Sequence, residues 1–263
     1  MGAEPGGRIA WISSAPVKGL RLQALTGAEL TVDGIPGDRA FFLVDRGGEM
    51  VSATRLGPLL AVVAEHDREA GALSLRFPGG EVVAGPVELG EPEPVRFYGA
   101  ELRAQPLAGP FSAALSRHAG VELRVFAAPP ERPGVDRGRA GAVTLLSLAS
   151  LERLREAAGE AGPIDARRFR MTIGVEGLAP HGEDEWVGRE IRVGGARVRV
   201  GGRVGRCAAT TRNPDSGAVD LKTLHHLASY RSEVASEEPL PFGVFGAVTR
   251  PGAIALGDPV GQV

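Results

Sequence analysis

Over residues 1–105 the apolar positions fall in short runs separated by glycine and proline, the texture of strands and turns. Arg8–Ser14 reads as one strand and Glu29–Val32 as another, before a turn through Gly34, Pro36 and Gly37. Ala40–Asp45 runs into Arg46, Gly47 and Gly48, and Met50–Ala53 returns, a hairpin signature with glycine at the turn. Leu59–Ala64, Ala72–Phe77, Glu81–Ala84 and Pro94–Tyr98 continue the pattern, with no helical spacing between them. Many short strands with regular turns predict a barrel or a strongly coiled sheet.

From about Leu107 the texture changes. Phe111–Ala119 has apolar residues at helical spacing, and Val121–Phe126 reads as a strand. Residues 128–141 form a polar loop rich in proline and glycine, expected to be an exposed joint between layers. Ser147 is placed to cap a helix through about Ala158, with Leu148, Leu151 and Leu154 one turn apart. Phe169–Val175 predicts a strand, and Glu190–Val204 a hairpin turning at Gly194 and Gly195. Leu221–Arg231 predicts a further helix, and Ala253–Pro259 a closing strand and turn. The expectation is a mainly β chain with a few helices (α+β), in two units spanning 1–105 and 106–263.

Composition narrows the function. The chain is 43% hydrophobic and 24% charged, as ordinary globular proteins are. A net charge of -2 gives no basis for nucleic-acid binding. No apolar run approaches the ~20 residues of a membrane span, and Met1–Gly7 lacks the basic-then-apolar pattern of a secretory signal. The simplest expectation is a cytoplasmic monomer that binds neither membrane nor nucleic acid. A single cysteine excludes an internal disulfide, and also a zinc ribbon or iron–sulfur cluster held by this chain alone. Of the 30 basic residues 28 are arginine, leaving Lys18 and Lys222 as exceptions. A lysine kept against that bias marks a place that suits a compact ammonium and not an arginine fork.

Residues 191–200 alternate as a half-buried hairpin does, with Val198 and Val200 inward and Arg197 and Arg199 outward. The alternation breaks at Gly201, Gly202 and Gly205, which signals a bulge or the close approach of a ligand to the backbone. Cys207 follows directly, beside Arg206 and four residues from Arg203, with the hydroxyls of Thr210 and Thr211 after it. Nearby positive charge favours the thiolate, the form that binds metals. On these residues alone two readings stand together: a buried small hydrophobe, or a metal ligand. Elsewhere, His225 and His226 are adjacent on a helix and diverge, so they make no paired ligand site. His181 reads as a solvated loop residue, and Glu183 and Asp184 as residues ordering the loop that carries Trp186. No Gly-x-x-x-x-Gly-Lys-Ser/Thr or Gly-x-Ser-x-Gly element is present, so nucleotide hydrolysis and esterase chemistry lack support.

A set of short motifs in fixed order separates the two readings of Cys207. Ala15-Pro-Val-Lys-Gly19, Gly37-Asp-Arg39-Ala-Phe41 and Thr54-Arg55 resemble the N-terminal β-barrel domain of MOSC proteins, named for the C-terminal domain of molybdenum cofactor sulfurases. Arg168-Phe-Arg170-Met-Thr-Ile173, Glu183-Asp-Glu-Trp186, Gly205-Arg-Cys207-Ala-Ala-Thr-Thr211 and Pro241-Phe-Gly243-Val-Phe245 resemble the MOSC domain itself. The resemblance implies an N-terminal β-barrel-like domain packed on a MOSC β-barrel domain. It also implies a molybdenum cofactor, with Cys207 as the thiolate on molybdenum, Lys18 and Arg39 on the pterin's phosphate, and Arg170 and Arg206 in contact with the cofactor. Four cofactor-contact positions depart from the family's usual residue: Gly19 and Gly205 stand where serine is common, Thr172 where asparagine is, and Phe245 where tyrosine is.

The implied activity is that of a molybdenum-dependent oxidoreductase reducing small N-hydroxylated or N-oxide molecules, similar to the amidoxime-reducing members. Because one cysteine cannot hold an iron–sulfur cluster, the electrons would come from a separate flavin, iron–sulfur or haem protein. The alternative is a carrier that uses Cys207 to hold the cofactor or a sulfur atom and pass it on.

Overall fold

The protein is described by a computed structural model covering residues 6–130, 132 and 136–263. Seven strands close a barrel. In sheet order they are Ile173–Glu176, Val143–Ser147, Val244–Arg250, Ala196–Arg203, Glu190–Val193, Pro259–Gln262 and Gly7–Ser14, which pairs back onto Ile173–Glu176. Gln23–Leu25 extends this sheet from the edge of Gly7–Ser14. Closure joins the two ends of the chain, since Ile12 lies opposite Ile173 and Gly7 opposite Val260. The pairing of Val143–Ser147 with Ile173–Glu176 is parallel. It needs a crossover, supplied by a helix, Leu148–Ala158, capped at Ser147, whose hydroxyl accepts from the Ala149 N–H at 3.1 Å. Alternation fills the barrel: Val198 and Val200 are fully buried beside Ile9, Leu145, Val175 and Ile191, while Arg199 faces out.

A second core gathers Val17, Leu20, Leu43, Leu59, Leu73, Leu75, Phe111 and Leu115. Around it lie a five-stranded sheet containing Phe41–Asp45 and Leu123–Ala127, a three-stranded meander from Val63 to Pro86, and the helix Phe111–Ala119. The expected hairpin is present, with Leu43 opposite Val51 and Val44 opposite Met50. A third cluster packs Leu151, Leu154, Phe169, Met171, Leu227 and Phe242 beneath the helices Leu148–Ala158 and Thr223–Arg231.

Two expected strands begin later than their apolar runs suggest. Gly57–Ala61 is a 3-10 turn, because Pro58 removes an N–H and fixes φ, so that strand starts at Val63. Ala166–Phe169 is another such turn, capped by Asp165, whose carboxylate accepts from the Arg167 N–H at 2.9 Å. Arg170 then takes a left-handed backbone (φ 54), and the strand begins only at Ile173.

Candidate active site

The break after Val200 is a bulge in the strand Ala196–Arg203, and what approaches its glycines is the protein itself. A side chain on Gly202 would meet the Phe245 ring at 3.0 Å. On Gly205 it would run into the Glu238–Pro239 backbone, with the Pro239 oxygen at 2.8 Å. The Gly205 N–H donates to the Glu238 carboxylate at 2.7 Å and the Arg206 N–H to the Pro239 carbonyl at 3.0 Å. Arg137 grips Glu238 through both terminal nitrogens (2.5 and 2.7 Å) and stacks over Phe245 at 4.6 Å. The approach to Cys207 is therefore held rigid by neighbouring segments.

Neither flanking arginine is aimed at the sulfur. Arg203 bonds the Ala235 carbonyl at 3.0 Å and lies 3.3 Å from Asp184. The Arg206 guanidinium is buried, donating to the Phe242 carbonyl at 2.8 Å and the Phe169 carbonyl at 3.0 Å. Burial pushes its pKa down to about 9. It ties the segments around Phe169 and Phe242 to the cysteine's own. Thr210 and Thr211 likewise donate to carbonyls, those of Cys207 (3.0 Å) and Ala208 (2.7 Å). Cys207 itself is exposed, which removes the reading of it as a buried hydrophobe. A hydroxyl from the other core reaches it: Thr54 Oγ1 lies 3.6 Å from Sγ.

The same cleft, about 490 Å³ in volume, has a cationic wall. Lys18 follows a bridge between Val17 and Phe41, its ammonium lying over the adjoining rings of Phe97 and Tyr98 at 5.9 and 5.6 Å. Arg39, also left-handed at φ 50, is paired with Asp38 and donates to the Arg170 carbonyl at 2.8 Å. Asp136 bonds Lys18 and lies 3.1 Å from Arg39 Nε. Burial alone would raise the Asp136 pKa, but Lys18 and Arg39 hold it below the usual carboxylate range. Arg170 has no such partner: its buried Nη2 lacks any hydrogen bond among the described residues. Burial, reinforced by Arg39, pushes its pKa down to about 10. Three cations thus face two carboxylates, with one guanidinium nitrogen unanswered.

Two family models match the chain: the MOSC domain over residues 130–261 and the MOSC N-terminal beta barrel domain over residues 6–109. The chain belongs to the MOSC family. Among curated relatives of this MOSC chain, it is 34% identical to mitochondrial amidoxime-reducing component 1 of Xenopus laevis, across 47% of this chain and 37% of that protein. With mitochondrial amidoxime reducing component 2 of Bos taurus the identity is 26%, across 94% and 81% of the two chains. With molybdenum cofactor sulfurase of Oryza sativa it is 24%, across 87% of this chain and 31% of that protein. Among solved structures, the YUAD protein of Bacillus subtilis superposes with a TM-score of 0.48 at 13% identity, covering 97% of this chain and 93% of that one.

Within this MOSC fold, Lys18, Gly19, Arg39, Arg170, Thr172, Gly205, Arg206 and Cys207 all line the one cleft. Phe245 does not; its ring covers Gly201 and Gly202 instead. Thr172 is buried, its hydroxyl paired with that of Thr144 at 3.1 Å. Other lining residues had no assigned site role in the sequence, among them Thr54, Tyr98, Asp136 and Glu238. Asp136 corrects the expectation of an exposed loop, since residues 136–138 are half-buried and all three line the cleft. Residues 131 and 133–135 of that loop lie outside the described residues.

Glu183 is fully buried and accepts from the Ser150 hydroxyl at 2.8 Å, holding its loop in place. His181 is not solvated as expected. Its ring packs 5.7 Å from Tyr230 and 5.8 Å from Phe242, both nitrogens lack partners among the described residues, and burial with nearby Arg231 pushes its pKa down to about 4. The folded chain thus refuses a proton that the unfolded chain accepts near 6.5. Stability is retained above that value and lost as pH falls towards 4. His181→Gln is expected to shrink the drop in melting temperature between about pH 7 and about pH 4.5. An unchanged drop would show that His181 does not contribute to it.

Proposed function

We propose that the cleft binds a molybdenum cofactor and that the protein reduces small N-hydroxylated or N-oxide molecules. The observation that carries this reading is the pairing, in one cleft, of an exposed thiol with a cationic wall that keeps an unanswered guanidinium nitrogen. Among the described residues no three His, Cys, Asp or Glu side chains converge on a metal site. A metal on Cys207 must therefore bring most of its ligands with it, as a pterin dithiolene does. Such a group is anionic through its phosphate, and Lys18, Arg39 and Arg170 form a wall suited to that charge. Its fit is not free of competition: an incoming phosphate must displace the Asp136 carboxylate from Lys18 and Arg39.

In this reading Cys207 Sγ binds the metal, the three cations hold the phosphate, and Arg206 keeps the cysteine segment rigid from below. The cofactor, when bound, supplies the two-electron chemistry that cleaving an N–O bond requires. Electrons reach it from a separate flavin, iron–sulfur or haem protein, since this chain's one cysteine cannot hold a cluster. The test is turnover. Chain expressed with molybdate should carry molybdenum and reduce an amidoxime or hydroxylamine with a chemical electron donor. Molybdenum without turnover would remove the reductase assignment.

A second reading has its own support. Exposure of Cys207 and similarity to a molybdenum cofactor sulfurase across 87% of this chain both suit a carrier of cofactor or sulfur. Sulfur bound to Cys207, detected as added mass lost on reduction, would favour the carrier.

A further inference from the structure

We propose that Thr54 is a positioning residue for Cys207: its hydroxyl donates a hydrogen bond to the thiolate, and Arg212 holds it there. The inference rests on the reading of Cys207 as the metal's thiolate. Thr54 comes from the turn after the strand Met50–Val51, 153 residues away in sequence, yet its Oγ1 stands 3.6 Å from Sγ. Two hydroxyls nearer in sequence are already committed, Thr210 to the Cys207 carbonyl and Thr211 to the Ala208 carbonyl.

Thr54 is also gripped from behind by the cysteine's own segment. The turn Ala208–Thr211 leads from Cys207 to Arg212, whose Nη2 donates to the Thr54 carbonyl at 2.8 Å. Its Nη1 donates to the Gly217 carbonyl, also at 2.8 Å. Gly217, at φ 74, lies directly against Gly57, so close that a side chain on it would meet the Gly57 Cα at 2.8 Å. Residues 207–212 therefore hold the Thr54 turn at two points, sulfur at one end and guanidinium at the other. The glycine contact keeps the two segments from sliding.

A thiolate on a metal has lone pairs to spare, and a donor hydrogen bond to one of them fixes the sulfur's direction. It also draws electron density from the metal, which raises the reduction potential. Thr54→Val keeps the shape and removes the donor; Thr54→Ser keeps the donor. In molybdenum-loaded protein, Thr54→Val and Arg212→Met should both lower the metal's midpoint potential and alter the resonance spectrum of its half-reduced form. Thr54→Ser should restore both. A Thr54→Val protein with wild-type potential and spectrum would overturn the proposal.

Should the wild type carry no molybdenum, the cofactor reading fails, and the contact is then decided on the metal-free chain. There Thr54→Val should shift the urea midpoint more when Cys207 is present than when it is Cys207→Ala. Equal shifts in the two backgrounds would overturn the contact as well.

Discussion

Cys207→Ala is expected to strip the chain of molybdenum while leaving its fold untouched. The sulfur is exposed and contributes nothing to any of the cores, so truncation opens no cavity. The stability change should stay within about 0.5 kcal/mol, the usual range for surface substitutions. Among the described residues no three His, Cys, Asp or Glu side chains converge to form an alternative metal site. Loss should therefore be near complete and accompanied by loss of turnover. Metal analysis of wild type and variant, purified side by side with their melting curves, is the measurement. A Cys207→Ala chain that retains wild-type molybdenum would remove the thiolate from the proposed site.

Lys18→Arg should also fail, although it keeps the charge. The Lys18 ammonium is buried, lies over the adjoining Phe97 and Tyr98 rings at 5.9 and 5.6 Å and bonds Asp136, a spot shaped to a compact ammonium that a longer, wider guanidinium would crowd. Charge-assisted hydrogen bonds contribute about 1.5–3 kcal/mol. Lys18→Met should then weaken cofactor retention roughly tenfold to a hundredfold, and Lys18→Arg should lie closer to methionine than to wild type. The variant also tests the competing carboxylate. Asp136 bonds both Lys18 and Arg39, so Asp136→Asn should tighten retention in the wild-type background. Pterin and molybdenum retained through gel filtration report all three variants. Equal retention by Lys18→Arg and wild type would show that the site requires only charge.

Much of the local structure was legible because it is written in short-range patterns. The alternation of Val198 and Val200 with Arg197 and Arg199 depends on one strand's own period. Ser147 caps its helix through an N–H two residues on, and Gly159 ends it with a left-handed backbone. Strand onsets were missed at Val63 and Ile173 for equally local reasons: Pro58 in one case, and the Asp165 cap with left-handed Arg170 in the other. Apolar content alone does not register either.

By itself the sequence determined the family, the mainly β character and the single thiol on which the proposed chemistry depends. It also singled out Lys18, by its survival in an arginine-rich chain. Only the tertiary structure decided which groups meet. Closing the barrel with Gly7–Ser14 brings Lys18 and Arg39 from one end of the chain to Arg170 and Cys207 from the other. It turned Arg206 into the core and Phe245 onto a glycine bulge, and it drew Asp136 and Thr54 into the cleft. The physical reason is reach. Local spacing states which face of an element is buried, but a side chain's partners depend on where distant elements come to rest, and no short-range period carries that information.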